Sequence, residues 1–202
     1  MKILKTLLDD RLIENIGFEG MFVNLRESLS LYAYRYPGDS DATACVAFLD
    51  EAEHPFDRTY APGHFTGSAW LVDAAGERVL LTHHRKLNRW LQLGGHADGD
   101  RDLAAVALRE AHEESGLTEL CVEPDIFDVD RHWIPERSNE AGHWHYDVRF
   151  IVRASTCHEF VVSDESLDLA WVSISTLANA DDTDESLRRM ACKWLARKTG
   201  AG

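Results

Sequence analysis

At 202 residues the chain is long enough for one good hydrophobic core with an appendage, or for two very small domains, and one main domain is expected. Its 35 acidic residues outnumber 21 basic ones, a formal net charge of -14, which disfavours nucleic-acid polymers and anionic membranes as partners and would repel a phosphate substrate unless metal ions reverse the field locally. The four cysteines, Cys45, Cys121, Cys157 and Cys192, form no CxxC pair, which weighs against a zinc cage or disulfide framework and points to a reduced, cytoplasmic setting.

The opening MKILKTLLDDRL is interrupted at Asp9, Asp10 and Arg11 before a signal-peptide core forms, and no stretch approaches a membrane span. Residues 1–57 read as an N-terminal helical extension. Ile3, Leu4, Leu7, Leu8, Leu12 and Ile16 recur with helical spacing, as do Leu25, Leu29 and Tyr32, and a further helix is expected over 41–53. This arm is expected to pack on the main domain or on a second copy of the chain, as a homodimer. The main domain is expected over 58–202, and from His64 the texture changes. GSAWLVD and ERVLLTHH read as two strands joined at Ala74-Ala75-Gly76, and residues 90–93 as a short strand leading into Gly94-Gly95. A helix is expected from near Arg101, with Asp100 as its N-cap, to Gly116. Strands follow at 120–132, 143–154 and 169–175, and a last helix over 184–198 buries Leu187, Met190, Trp194 and Leu195. Strands on both sides of a central helix, with a second helix at the end, predict an α/β fold: an αβα sandwich around a mixed sheet.

Residues three and four apart share a helix face, so Glu110, Glu113 and Glu114 form one acidic cluster, with Arg109 as a salt-bridge partner one turn before Glu113. Three carboxylates so placed repel one another unless a cation sits among them. Immediately before them lies the glycine-rich stretch GGHADGD.

The segment GGHADGDRDLAAVALREAHEESGL resembles the Nudix box, G-x5-E-x7-R-E-U-x-E-E-x-G-U with U aliphatic. Gly95 takes the first glycine, Arg109 and Glu110 the Arg-Glu pair, Ala111 the first U, Glu113 and Glu114 the paired glutamates, and Gly116 and Leu117 the end. One position departs: Arg101 stands where the family has a glutamate that partners the box arginine, and Asp98, Asp100 or Asp102 is expected to take over that pairing. The resemblance implies the Nudix-type αβα sandwich over 58–202. It also implies Mg2+, or Mn2+, held chiefly by Glu110 and Glu114, with Glu113 assisting and the Gly94 carbonyl adding an oxygen.

The implied activity is a metal-dependent pyrophosphohydrolase that cleaves a diphosphate linkage in a nucleoside diphosphate-linked or related small molecule. The alternative is a non-catalytic nucleotide-binding or sensor module on the same fold, which Arg101 keeps open. Some Nudix enzymes take a general base from a loop well after the box, and Glu165 fits that placement, with Asp164 and Glu140 as competitors. Arg85, Lys86 and Arg89 form a basic cluster upstream of the box and are candidates for substrate phosphate, as is His96, whose other reading is support of the loop. His143 and His145 share a strand face with Asp147 and resemble part of a transition-metal site, although residues lining a cleft are the more common case. Trp133, Trp144 and Tyr146 are candidates for stacking on a base, against ordinary core packing. His112 points away from the glutamates.

Overall fold

The computed structural model describes residues 24–137, 141–155, 159–162 and 166–198. In chain order the elements are α1 (Leu25–Arg35), α2 (Ser40–Glu51), β1 (Gly63–Val72), β2 (Arg78–His84), β3 (Arg89–Leu91), β4 (Leu93–His96), α3 (Leu103–Ser115), β5 (Leu120–Ile134), β6 (His143–Ala154), β7 (Ser166–Ser173), α4 (Ile174–Asn179) and α5 (Glu185–Lys198). The helical repeat expected over residues 3–16 lies outside the described residues.

Every residue of β1 is buried, because the strand lies at the centre of a seven-stranded sheet with helices on both faces. Along one edge it pairs in parallel with β6 over its whole length, and β6 in turn pairs antiparallel with β5. Its other edge is shared. β4 takes the first part, Thr66–Ala69, and β2 takes over at Val72, carrying β3 and β7 with it.

Alternation along β1 sends Phe65, Ala69 and Leu71 to a core shared with α1, α2 and α3. Trp70 and Val72 go to the opposite core, where α4 and α5 contribute Ile174, Leu177, Leu187, Met190 and Trp194. The expected αβα sandwich is therefore observed. The N-terminal arm packs on the main domain: Leu29, Tyr32, Ala42 and Cys45 are buried in the α3-side core, and the Phe48 ring stacks on Tyr146 at 3.9 Å between centroids.

Three local expectations are corrected. Asp102, not Asp100, caps α3, its side chain accepting from the Ala105 N–H at 3.0 Å; Asp100 uses its carboxylate on the Asp102 N–H at 2.9 Å, two residues too early. The strand expected over 90–93 is two strands, β3 and β4. The strand expected to reach residue 175 stops at Ser173, whose hydroxyl accepts from the Thr176 N–H and starts the short helix α4.

The α5-side core ends in charge rather than in more apolar packing. Asp128 on β5, fully buried, accepts from Arg149 at 3.1 Å, Arg189 at 2.7 Å and Lys193 at 2.5 Å. Arg149, itself 2% exposed, also reaches Asp147 at 2.7 Å and Asp130 at 3.2 Å. Burial alone would raise the Asp128 carboxyl, but Arg149, Arg189 and Lys193 overcome it and hold the group below its ordinary range. Asp130 is likewise depressed against the effect of burial, by His132, Arg149 and Arg189.

Removing one member of such a network leaves the others buried and uncompensated. Asp128→Ala is expected to lower unfolding free energy by about 3–5 kcal/mol, read from urea denaturation at neutral pH. The folded carboxyls bind protons more weakly than unfolded ones. Their contribution is therefore complete above a pH of about 4 and drains away as pH falls toward the depressed folded values. Acid titration of the wild type should show this loss, and Asp128→Ala should show less of it.

Candidate active site

Strand β4 and helix α3 bring the box residues together. Gly95 pairs with Gly67 of β1 and passes directly beneath Glu110: a Cβ built on Gly95 would lie 2.5 Å from Glu110 Cδ and 2.6 Å from its Oε2. The neighbouring Gly94 N–H donates to Glu114 Oε1 at 2.8 Å. Glu114 is buried, Glu110 mostly so, and Glu113 is exposed on the same helix face. The helix ends where it should: Gly116 adopts φ 70°, and its N–H donates to the His112 carbonyl at 2.9 Å. His112 bonds the Leu117 carbonyl through Nδ1 at 2.7 Å, away from the glutamates as expected.

Arg109 is placed differently from the expectation. Its Nη2 donates to Glu110 Oε1 at 3.0 Å and to the His96 carbonyl at 3.1 Å, so it ties α3 to β4 through the adjacent glutamate rather than through Glu113. The aspartates expected to pair with it are engaged elsewhere. Asp98 makes two hydrogen bonds with Arg58, and Asp102 caps the helix. Arg101 is exposed with its guanidinium 5.9 Å from the Phe56 ring, outside the carboxylate cluster.

The basic cluster lies on the β2–β3 turn. Arg85 donates to the Ser166 carbonyl at 2.9 Å, Arg89 to Asp184 Oδ2 at 2.5 Å, and Lys86 is exposed. Two of the three therefore fasten that turn to β7 and to the residue preceding α5. Glu165, Asp164 and Glu140 lie outside the described residues. Of the aromatic candidates, Tyr146 belongs to the core beside Phe48, Trp144 is partly buried, and Trp133 stays 51% exposed at a centroid distance of 5.3 Å from Trp144.

One feature escaped the sequence almost entirely. The sheet face that is apolar at Trp70 and Ile151 turns polar toward the start of β1, where His64, Thr66 and Ser68 stand beside His143, His145 and Asp147 of β6. Asp147 accepts from Thr66 at 2.9 Å, Ser68 at 2.7 Å, Arg149 at 2.7 Å and Gln92 at 3.2 Å. His64 packs against His96, His143 and His145 at centroid distances of 5.0, 4.9 and 4.7 Å, and His132 lies 5.4 Å from His145. Burial, reinforced by the neighbouring imidazoles, pushes His64 down to about 4 and His145 to about 2, so both are neutral at physiological pH. Only the His143–His145 alternation was visible beforehand.

A family model described as the NUDIX domain matches residues 63–194, well over half of the chain. A solved NUDIX-family hydrolase from Clostridium perfringens is 27% identical with a TM-score of 0.52, the match covering 67% of this chain and 97% of that one. A C. elegans Ap4A hydrolase is 18% identical, TM-score 0.54, over 67% and 98% of the two chains. The E. coli dihydroneopterin triphosphate pyrophosphohydrolase is 15% identical, TM-score 0.53, over 66% and 95%. These last two share the fold. No curated protein matches the sequence significantly. From the box geometry and this match, the chain belongs to the Nudix family, as a hydrolase acting on phosphorus-containing anhydrides.

Proposed function

We propose that this protein is a divalent-cation-dependent pyrophosphohydrolase that cleaves the diphosphate linkage of a nucleoside diphosphate-linked or related small molecule. The observation that carries the reading is the convergence of Glu110 and Glu114 on the Gly94–Gly95 backbone, where no side chain fits beneath the Glu110 carboxylate. The donor set suits a hard cation. Carboxylate oxygens with a small, open backbone beside them match Mg2+ or Mn2+, which take oxygen ligands and are commonly bound by one or two carboxylates together with substrate phosphates. Glu110, Glu113 and Glu114 would hold it. When bound, such an ion neutralises phosphoryl oxygens and makes water a better nucleophile at neutral pH.

The chain's own residues supply orientation. Arg109 holds the Glu110 carboxylate against β4 through the His96 carbonyl and is a positioning residue in this reading. Glu114 is fixed by the Gly94 N–H, so two of the three carboxylates are preset while exposed Glu113 keeps its freedom. Geometry of this kind is not needed merely to fold, because carboxylates held together oppose one another.

Glu114→Gln retains an oxygen for the Gly94 N–H and removes the charge. With a panel of nucleoside triphosphates, dinucleotides, nucleotide sugars and non-nucleotide diphosphates, and with Mg2+ or Mn2+, the wild type should hydrolyse at least one class, and the variant should lose more than about 100-fold in turnover. In metal-free buffer its melting temperature should equal or exceed that of the wild type, since a like charge has been removed. Binding without hydrolysis by the wild type across the panel would identify a nucleotide-binding module instead. Gly95→Ala places a methyl group in the Glu110 carboxylate and should reduce turnover by a comparable factor, measured as kcat with saturating cation.

A further inference from the structure

We infer that His64, His96 and His145 form a second metal site, selective for a borderline divalent cation of the zinc type and separate from the carboxylate cluster. One ring nitrogen from each residue lies within 4.8 Å of the others. The three residues come from three adjacent strands, β1, β4 and β6, in a register that sets His64 opposite His145 and His96 opposite Thr66. Because Gly95 faces α3, the next side chain, His96, projects from the other face of β4. The two sites are therefore separated by the strand itself.

The independent observation is His64. It is 1% exposed, and among the described residues neither Nδ1 nor Nε2 has a hydrogen-bond partner. Burying a polar group without a partner costs free energy, and native interiors rarely leave one in that condition. Each neutral imidazole has one N–H and one lone pair, and His64 pairs neither, whereas a cation among the three rings would take up its lone pair.

The surrounding contacts supply what a metal-binding histidine ordinarily has around it. His143 Nδ1 lies 2.8 Å from the Ala141 carbonyl, which calls for a proton there and leaves Nε2 as an acceptor. That Nε2 is 3.1 Å from His145 Nε2, which then donates and leaves His145 Nδ1 with its lone pair for a ligand. This is the hydrogen bond from a ligand's second nitrogen that fixes tautomer and ring orientation in metal sites. A four-coordinate ion with nitrogens at about 2.1 Å places them about 3.4 Å apart, so modest ring rotations close the present spread. All-nitrogen donors favour Zn2+, Co2+, Ni2+ or Cu2+ over Mg2+, which takes oxygen. Such an ion would join β4, and with it the Gly94–Gly95 backbone, to the two central strands.

The test uses the full-length protein stripped with chelator and titrated with Zn2+ in excess Mg2+ by calorimetry. One equivalent should bind. His145→Asn and His64→Gln should each weaken binding by more than about 10-fold, while Glu114→Gln should bind as the wild type does. In parallel, Co2+ added to unmutated protein should give the strong visible absorption of a tetrahedral nitrogen site, a readout that needs no variant and is independent of folding defects. No Zn2+ bound to the wild type, binding unaffected by both histidine substitutions in folded variants, binding lost in Glu114→Gln, or only the weak spectrum of octahedral Co2+ would each overturn the assignment.

Discussion

The closeness of a glycine backbone to a carboxylate is the constraint on which the site depends. Gly95 lies where any Cβ would collide with Glu110, and its partner Gly67 on β1 lies where a Cβ would come within 2.8 Å of the Leu103 carbonyl and 2.9 Å of Val106. Two glycines paired across β1 and β4 thus let α3 descend onto the sheet. Helix and strand then act as a single rigid part: Arg109 bridges them by the His96 carbonyl, and the Gly94 N–H meets Glu114. Glu114 is held by a backbone N–H, and Glu110 by an Arg109 that is itself anchored on a backbone carbonyl, which would limit what a cation must reorganise on arrival.

Charge is distributed on the same economy. The chain is strongly acidic, yet on the α5 side of the sheet Arg149, Arg189 and Lys193 converge on Asp128 in the interior. Those cations neutralise buried aspartates instead of forming a surface field, and Arg89 is similarly committed to Asp184. In the proposed reading, electrostatic attraction of a phosphate substrate would therefore fall to the cation that the glutamates would hold, more than to a broad basic surface.

Sequence and structure agree best where the determinants are local. The glutamate face of α3 follows from spacing alone, and Gly116 marks its end because an αL cap needs that residue. Strands β5 and β6 and helix α5 were legible from alternation and periodicity. The cap at Asp102 was missed because three aspartates within five residues offer the same chemistry, and only backbone geometry decides between them. Short α4 was hidden because Trp171, Val172 and Ile174 favour extension right up to its first residue. The histidines were illegible for a deeper reason. His64, His96 and His145 are separated by long stretches of chain, and their meeting depends on the β1–β6 and β1–β4 registers, which a single sequence does not reveal. Arg109 shows the same limit at short range, since Glu110 and Glu113 were both within reach.

The arm formed by α1 and α2 carries a consequence for how such proteins diversify. The family match begins at Gly63, but Leu29, Tyr32, Ala42, Cys45 and Phe48 lie before that boundary and fill the same interior as α3. The unit that can be shuffled by homology and the unit that excludes water thus have different edges. Grafting this segment into another protein would strip the cover from Tyr146 and Phe65, so a chimera must bring these helices along or supply an equivalent greasy lid.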